Sequence, residues 1–408
     1  MGDGWIGLYA HIPFCRAKCA YCDFDSYAHL EHLHAPYVQA LCTEMRRFAR
    51  QHGPLAADTI YFGGGTPTSL PSSLLVRILT TCRDAFAVPQ DAEISVEANP
   101  GTVTSESLSA LHDAGVNRLS LGAQSFDDQE LRLLGRIHSA RQVDEAFSMA
   151  HAAGIHNVNL DLIYGLPRQP LVRWLATLDR ALALEPEHLS LYALSVEEGT
   201  PLAESIAIGH LPLPDPDLAA DMYAAAEERL EEKGYAHYEL SNWARQGPPP
   251  AHSREIGPLR ESGFPALCRH NLKYWRREPY LGFGAGAHSH YAGRRYRNVR
   301  DPQHYVSCLE SEQSTVEDEE WIDPDDAMAE TMILGLRLIE GVRFSRCRQQ
   351  HQCVMREQYA TELSELQTLG LLTLDPNGVR LTPRGCLLAN QVFVRFWPRS
   401  DPRADRAA

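Results

Sequence analysis

The stretch Tyr9-Ala10-His11-Ile12-Pro13-Phe14-Cys15-Arg16-Ala17-Lys18-Cys19-Ala20-Tyr21-Cys22-Asp23-Phe24 decides how the rest of the chain is read. An apolar, β-rich run, Ile6–Ile12, leads into three cysteines, Cys15, Cys19 and Cys22. Thiolates ligate soft metals, and iron–sulfur clusters are normally held by cysteine sulfur. A [4Fe-4S] cube has four irons and this loop offers three sulfurs, so one iron would keep an open position for a ligand. The competing reading is a zinc knuckle, which needs a fourth ligand nearby. Asp23, Asp25 and His29 are candidates for it, at a spacing unlike common zinc pairs. A thiolate-only triad suits iron–sulfur better than zinc.

Working outward, 408 residues suffice for two or three domains and a large core. An apolar content of 44% with 22% charged residues is ordinary for a soluble globular protein. The net charge of −15 argues against nucleic acid as a partner, because phosphate-backbone binding needs a basic face. Ten cysteines in a chain of this size read as cytosolic thiols, some of them ligands, rather than as a disulfide scaffold. Met1-Gly2-Asp3-Gly4-Trp5 has neither the basic nor the apolar region of a signal peptide. No apolar run is long enough to span a bilayer. The expectation is a cytoplasmic protein, with peripheral membrane contact left open.

Apolar runs at Ile6–Ile12, Thr59–Phe62, Glu93–Glu97, Arg118–Leu121, Asn157–Ile163 and His188–Tyr192 alternate with amphipathic segments. Those segments are Tyr37–Gln51, Ser72–Phe86, Ser105–Ala114, Ser139–Ala153 and Leu171–Leu184. Such alternation means βα units and a parallel sheet. Six strands predict an α/β fold with an open, partial (β/α)6 barrel, whose chemistry sits at the C-terminal ends of the strands. Past Tyr192 the reading gives a helix over Leu218–Lys233, a Pro/Gly/Ser-rich loop over Gln246–Pro265 and an aromatic-rich stretch over Cys268–Tyr296. An acidic segment, Glu310–Asp326, precedes a helix over Ala327–Leu338. A helix over Met355–Leu369 and a hairpin around Asp375-Pro376-Asn377-Gly378 suggest a small, winged-helix-like domain. The expected division is a barrel over 1–200, a barrel-completing region over 201–310, a C-terminal helical domain over 311–398 and a polar tail, Arg399–Ala408.

The strand ends carry the chemistry. Gly63-Gly64-Gly65-Thr66 closes the second strand, and a glycine run lets backbone groups approach a ligand closely. Glu97 ends the third strand, Gln124 the fourth, with Arg136 just beyond, and Asp161 lies near the end of the fifth. Any one of these alone could be a structural cap; together at one edge they read as a site.

The cluster loop resembles that of the radical S-adenosylmethionine (SAM) enzymes, in which SAM chelates the open iron. The chain from Tyr9 to about Pro398 resembles the oxygen-independent coproporphyrinogen III oxidase family. The resemblance implies that Cys15, Cys19 and Cys22 hold a [4Fe-4S] cluster and that Tyr9, Gly64 and Glu97 contact the cluster-bound SAM. It implies that Tyr21, Gly65, Thr66, Gln124, Arg136, Asp161 and Ala193 match contacts to a second SAM. Phe24 stands where the oxidase has a fourth cysteine, and only Met1–Phe14 precede Cys15. Both departures resemble the family's haem chaperone branch, as does His270-Asn271-Leu272-Lys273-Tyr274-Trp275. That resemblance implies haem received at His270, with Tyr274 and Trp275 beside the porphyrin, and delivery to acceptor haemoproteins such as respiratory enzymes. His288 is a second candidate ligand, and Cys268 a thiol competitor. The alternative is the oxidative decarboxylase itself. Oligomeric state, a homodimer included, stays open.

Overall fold

The computed structural model describes residues 5–247 and 266–397. Most of the Gln246–Pro265 loop, from residue 248, and the Arg399–Ala408 tail lie outside the described residues. The strands are β1 (Ile6–Ile12), β2 (Phe14–Cys15), β3 (Tyr27–Ala28), β4 (Ala57–Gly64), β5 (Glu93–Ala98) and β6 (Arg118–Gln124). They continue as β7 (Asn157–Tyr164), β8 (His188–Ala193), β9 (Tyr235–Glu239), β10 (Asn242–Arg245), β11 (Tyr280–Phe283) and β12 (His288–Tyr291). The last are β13 (Arg294–Asn298), β14 (Val316–Trp321), β15 (Val342–Arg343), β16 (Leu372–Leu374) and β17 (Gly378–Leu381).

The six strands expected from sequence, β1, β4, β5, β6, β7 and β8, pair in that order and all in parallel. Crossover helices His34–His52, Ser72–Ala85, Ser105–Asp113, Ala140–Ala152 and Leu171–Ala183 join them. In Ser72–Ala85 the buried Leu75, Ile78, Leu79 and Cys82 recur at helical spacing, so one face lies on the sheet. Each such leucine or isoleucine contributes about 1.5–3 kcal/mol of burial. Gly115 and Gly154 stop two of the helices at φ +101° and +93°, which a residue with a Cβ takes only with strain.

The sheet does not end with the sixth strand. Its order is β14-β13-β12-β11-β1-β4-β5-β6-β7-β8-β10-β9, twelve strands among the described residues. β11 joins β1 in parallel, and β12, β13 and β14 follow antiparallel. The acidic segment read from sequence thus contains a strand, β14, so the large sheet runs past residue 310. All six residues of β14 are exposed, leaving no apolar alternation to read. Cross-strand pairs Arg294–Glu319 (2.6 Å), Arg295–Glu320 (3.0 Å) and Arg297–Glu317 (3.0 Å) accompany it.

The C-terminal unit has its own apolar core, with Met332, Leu336, Leu363, Leu366 and Phe396 buried in it. Its sheet runs β15-β17-β16, and the β16–β17 hairpin closes on the expected Asp375–Gly378 turn. The helix expected over Met355–Leu369 is two helices, Met355–Gln358 and Ala360–Thr368, broken at Tyr359.

Candidate functional site

The parallel strands bring their C-terminal ends to one edge, and a cavity of about 410 Å³ opens there. This is within the usual range for a small-molecule site. All three loop cysteines, Cys15, Cys19 and Cys22, line it, with Tyr21, Gly64, Gly65, Thr66, Glu97, Gln124, Arg136, Asp161 and Ala193. Twelve residues singled out from sequence therefore converge on one space.

The loop is shaped by the short parallel pair β2–β3, which places Cys15 opposite Ala28. The amide of Cys22 donates to the Cys19 carbonyl at 3.3 Å, folding the second gap into a turn. Burial pushes the Cys15 and Cys22 thiols above their ordinary range. As free thiols they stay protonated at neutral pH, and a metal must displace those protons to bind. Arg136 reaches in from beyond β6, donating to the Gly122 carbonyl at 2.7 Å and toward Cys19 Sγ at 3.3 Å. Its Nε is buried with no hydrogen-bond partner. Among the described residues no three His, Cys, Asp or Glu side chains gather closely enough for a single metal ion. A mononuclear zinc centre needs its ligands about 2.0–2.3 Å from one point. Three thiols ringing a cavity beside a cationic side chain suit a larger, anionic thiolate-bound cluster instead.

Across the cavity lie two buried carboxylates. Glu97 Oε1 accepts from the Tyr61 hydroxyl at 2.8 Å and its Oε2 from the Gly64 amide at 3.3 Å. Burial, opposed by the Tyr61 hydrogen bond and reinforced by nearby Asp161, lifts the Glu97 carboxyl to about 7. Asp161 accepts from Ser120 at 3.0 Å and Asn159 at 2.8 Å, and burial raises it too. A buried acid pair of this kind favours a ligand carrying a positive or hydrogen-bond-donating group. Gly64 has φ +114°, and a Cβ there would stand 2.6 Å from the His11 ring, so the backbone passes where no side chain fits. Gln124, next to an irregularity in the β6–β7 register, is held at φ +66°, strain of the kind that gathers at binding sites.

Tyr9, His270, Tyr274 and Trp275 do not line the cavity. Tyr9 donates to His11 Nδ1 at 2.9 Å, and its ring lies beside those of Tyr61 and His270, roughly parallel to each at 6.2 and 6.4 Å. His270 is fully buried toward the N-terminal ends of the strands, in the helix Arg269–Trp275. Its Nδ1 lies 2.8 Å from Thr59 Oγ1 and its Nε2 2.9 Å from the Tyr274 hydroxyl. Its ring stacks on Tyr61 at 5.2 Å, and Glu93 at the start of β5 accepts from its amide. Lys273 of the same helix pairs with Asp58 at 2.7 Å. Both ring nitrogens of His270 thus lie within hydrogen-bond distance of barrel groups in this structure.

Sequence reasoning missed Tyr61, Ser120 and Tyr192, which also line the cavity. Tyr61 was visible inside the apolar run Thr59–Phe62, where its hydroxyl reads as strand propensity. Phe24 is 64% exposed at the cavity edge, apolar where a further thiol would sit in the oxidase pattern. No helix among the described residues is long and apolar enough to cross a membrane.

Comparison with known proteins gives the family and the fold. The family model of the radical SAM superfamily matches residues 9–181, and that of the HemN C-terminal domain residues 322–388. The haem chaperone HemW of Bacillus subtilis is 36% identical over 95% of this chain and 98% of its own length. HemW of Escherichia coli K12 is 33% identical over 96% of this chain and 98% of its own. The mitochondrial radical S-adenosyl methionine domain-containing protein 1 of Bos taurus is 34% identical over 98% and 88%. The solved structure of coproporphyrinogen III oxidase (HemN) from Escherichia coli superposes with a TM-score of 0.80 at 25% identity, covering 96% of this chain and 90% of that one.

Proposed function

Because the chain belongs to the HemW haem chaperone family within the radical SAM superfamily, we propose that it holds a [4Fe-4S] cluster, SAM and haem, and passes the haem to acceptor haemoproteins. The observation that carries the cluster and SAM is the convergence of Cys15, Cys19, Cys22, Glu97 and Arg136 on one cavity. The three thiolates would bind the cluster, and Arg136 would balance its charge beside Cys19. The Gly64 backbone and Glu97 would take the amino group of SAM, and Asp161 with Gln124 would hold its hydroxyls or those of a second molecule. Tyr61 keeps Glu97 oriented, and Tyr9 acts from below by fixing His11. When bound, the cluster with SAM supplies one-electron chemistry at this edge. The chain's own residues supply burial, orientation and the buried acids.

Haem binding is carried by the relatives' names and by the aromatic-rich stretch around His270 and His288. Phe24 in place of a fourth cysteine supports the chaperone over the decarboxylase. The acceptor would be a haem-requiring protein such as a respiratory enzyme. The test is transfer: reconstituted chain loaded with one haem is mixed with an apo-form respiratory haemoprotein. The acceptor's holo spectrum should appear faster than with free haem at equal concentration. Haem that stays on the chain, or an acceptor filled no faster than by free haem, would sink the delivery step.

A further inference from the structure

The geometry points to His138 as a positioning residue of the SAM site: it braces the turn that carries Gln124 and so sets the Gln124 side chain in the cavity. This rests on the cluster and SAM reading above. Gln124 is the last residue of β6 and has φ +66°. The Ser125 amide donates to the Ala123 carbonyl at 2.8 Å, so Gln124 is the middle of a three-residue turn. With a positive φ at its centre, this is the rare, strained kind of γ-turn. Such strain at a residue other than glycine persists only where its surroundings over-determine it.

His138 supplies that determination. It is 5% exposed, and its Nε2 lies 3.1 Å from the same Ala123 carbonyl. Its Nδ1 lies 3.0 Å from Asn99 Oδ1, just past the end of β5. Because β5 and β6 are neighbours in the sheet, one imidazole spans the C-terminal ends of both. Burial, with Arg136 adding to it, pushes His138 down to about 4, so at pH 7 the ring is neutral and carries one proton. Two acceptors face that proton. Asn99 Oδ1 already accepts from the Gly101 amide at 3.0 Å, and the strained turn is the partner that needs a second donor. The proton therefore belongs on Nε2, toward Ala123.

The stretch that carries His138 also carries the cation of the site. Arg136 donates to the Gly122 carbonyl at 2.7 Å and toward Cys19 Sγ at 3.3 Å. A Cβ on Gly122 would stand 3.0 Å from Gln124 Nε2 and 3.1 Å from Arg136 Nη2, so amide and guanidinium lie together over that glycine. The Leu134 carbonyl accepts from the Ala20 amide of the cluster loop at 3.0 Å. Leu134–His138 thus ties the cluster loop to the carbonyls of residues 122 and 123, on either side of which Gln124 is aimed. His138 does not itself line the cavity, so it acts through Gln124 and not on the ligand.

The experiment is equilibrium dialysis of SAM against the anaerobically reconstituted full chain, expressed per cluster. Wild type is compared with His138→Gln, His138→Asn, Gln124→Ala and the double variant Gln124→Ala/His138→Asn. A glutamine amide nitrogen can stand where Nε2 does, and an asparagine amide nitrogen only where Nδ1 does. His138→Gln should stay within about 3-fold of wild type, and His138→Asn should bind about 10-fold more weakly, the order of one lost hydrogen bond. The EPR signal of the reduced cluster without SAM should be the same in every variant, which damage to the cluster loop would not allow. In the Gln124→Ala background, His138→Asn should add little, because the two residues act as one unit. SAM binding like wild type in both His138 variants, or Asn keeping the affinity that Gln loses, would overturn the assignment and leave the SAM reading standing. So would an undiminished loss in the double variant, or a changed cluster signal. No saturable SAM binding by wild type would overturn both.

Discussion

His270→Ala should act first on stability. The imidazole is fully buried, and its removal strips partners from Thr59, itself fully buried, and from Tyr274. A buried polar group left unpaired costs about 1–3 kcal/mol. Loss of the stack on Tyr61 adds about 0.5–1.5 kcal/mol. The variant should therefore lose about 2.5–7.5 kcal/mol at pH 7, measured as a urea midpoint by circular dichroism with the wild-type m-value. The effect carries a pH signature. Burial, with Lys273 adding to it, depresses the folded His270 to about 3, below the ordinary 6.5 of the unfolded chain. Above pH 6.5 the ring is neutral in both states. Between pH 6.5 and 3 the unfolded chain takes up a proton that the folded one refuses, so acidification removes stability at about 1.4 kcal/mol per pH unit. At pH 5 the gap between wild type and His270→Ala should narrow by about 2 kcal/mol. Equal midpoints at pH 7, or a gap independent of pH, would refute the placement of His270 as a sealed part of the barrel floor.

Other outcomes follow from the cavity. Replacing any of Cys15, Cys19 or Cys22 by serine should abolish the cluster's visible absorption after anaerobic reconstitution, with iron per chain falling to near zero. Glu97 titrates at about 7, so its carboxylate forms as pH rises through that value and should strengthen SAM binding. In Glu97→Gln affinity should fall at pH 8 and lose this dependence, as read by equilibrium dialysis. Gly64→Ala forces a side chain at φ +114° against the His11 ring and should destabilise the chain by about 1–3 kcal/mol in a denaturant titration.

The parallel half of the fold was legible because its signal is local. β1, β4, β5, β6 and β7 are apolar runs largely buried on both faces, β8 is buried up to Leu191, and the helices between them carry a clear period. The cavity was legible for the same reason: short motifs at strand ends must meet once the strands are parallel. The antiparallel extension was not. β13 and β14 are stretches of arginine and glutamate whose pairing rests on cross-strand charge, which no single strand displays. Nor was the burial of His270. It depends on Thr59 and Glu93, residues at the opposite end of the barrel from the motifs that drew the eye. A histidine beside aromatics is ordinarily a satisfied core residue, and the haem role expected of His270 rested on the family resemblance alone.

The central claim is that this chain carries haem rather than making its precursor. The most direct measurement is an anaerobic assay of the reconstituted full chain with SAM and reductant. One aliquot is titrated with haem and a second is incubated with coproporphyrinogen III. The account predicts saturable binding near one haem per chain and no decarboxylated product. Decarboxylated product from coproporphyrinogen III with no saturable haem binding would contradict it.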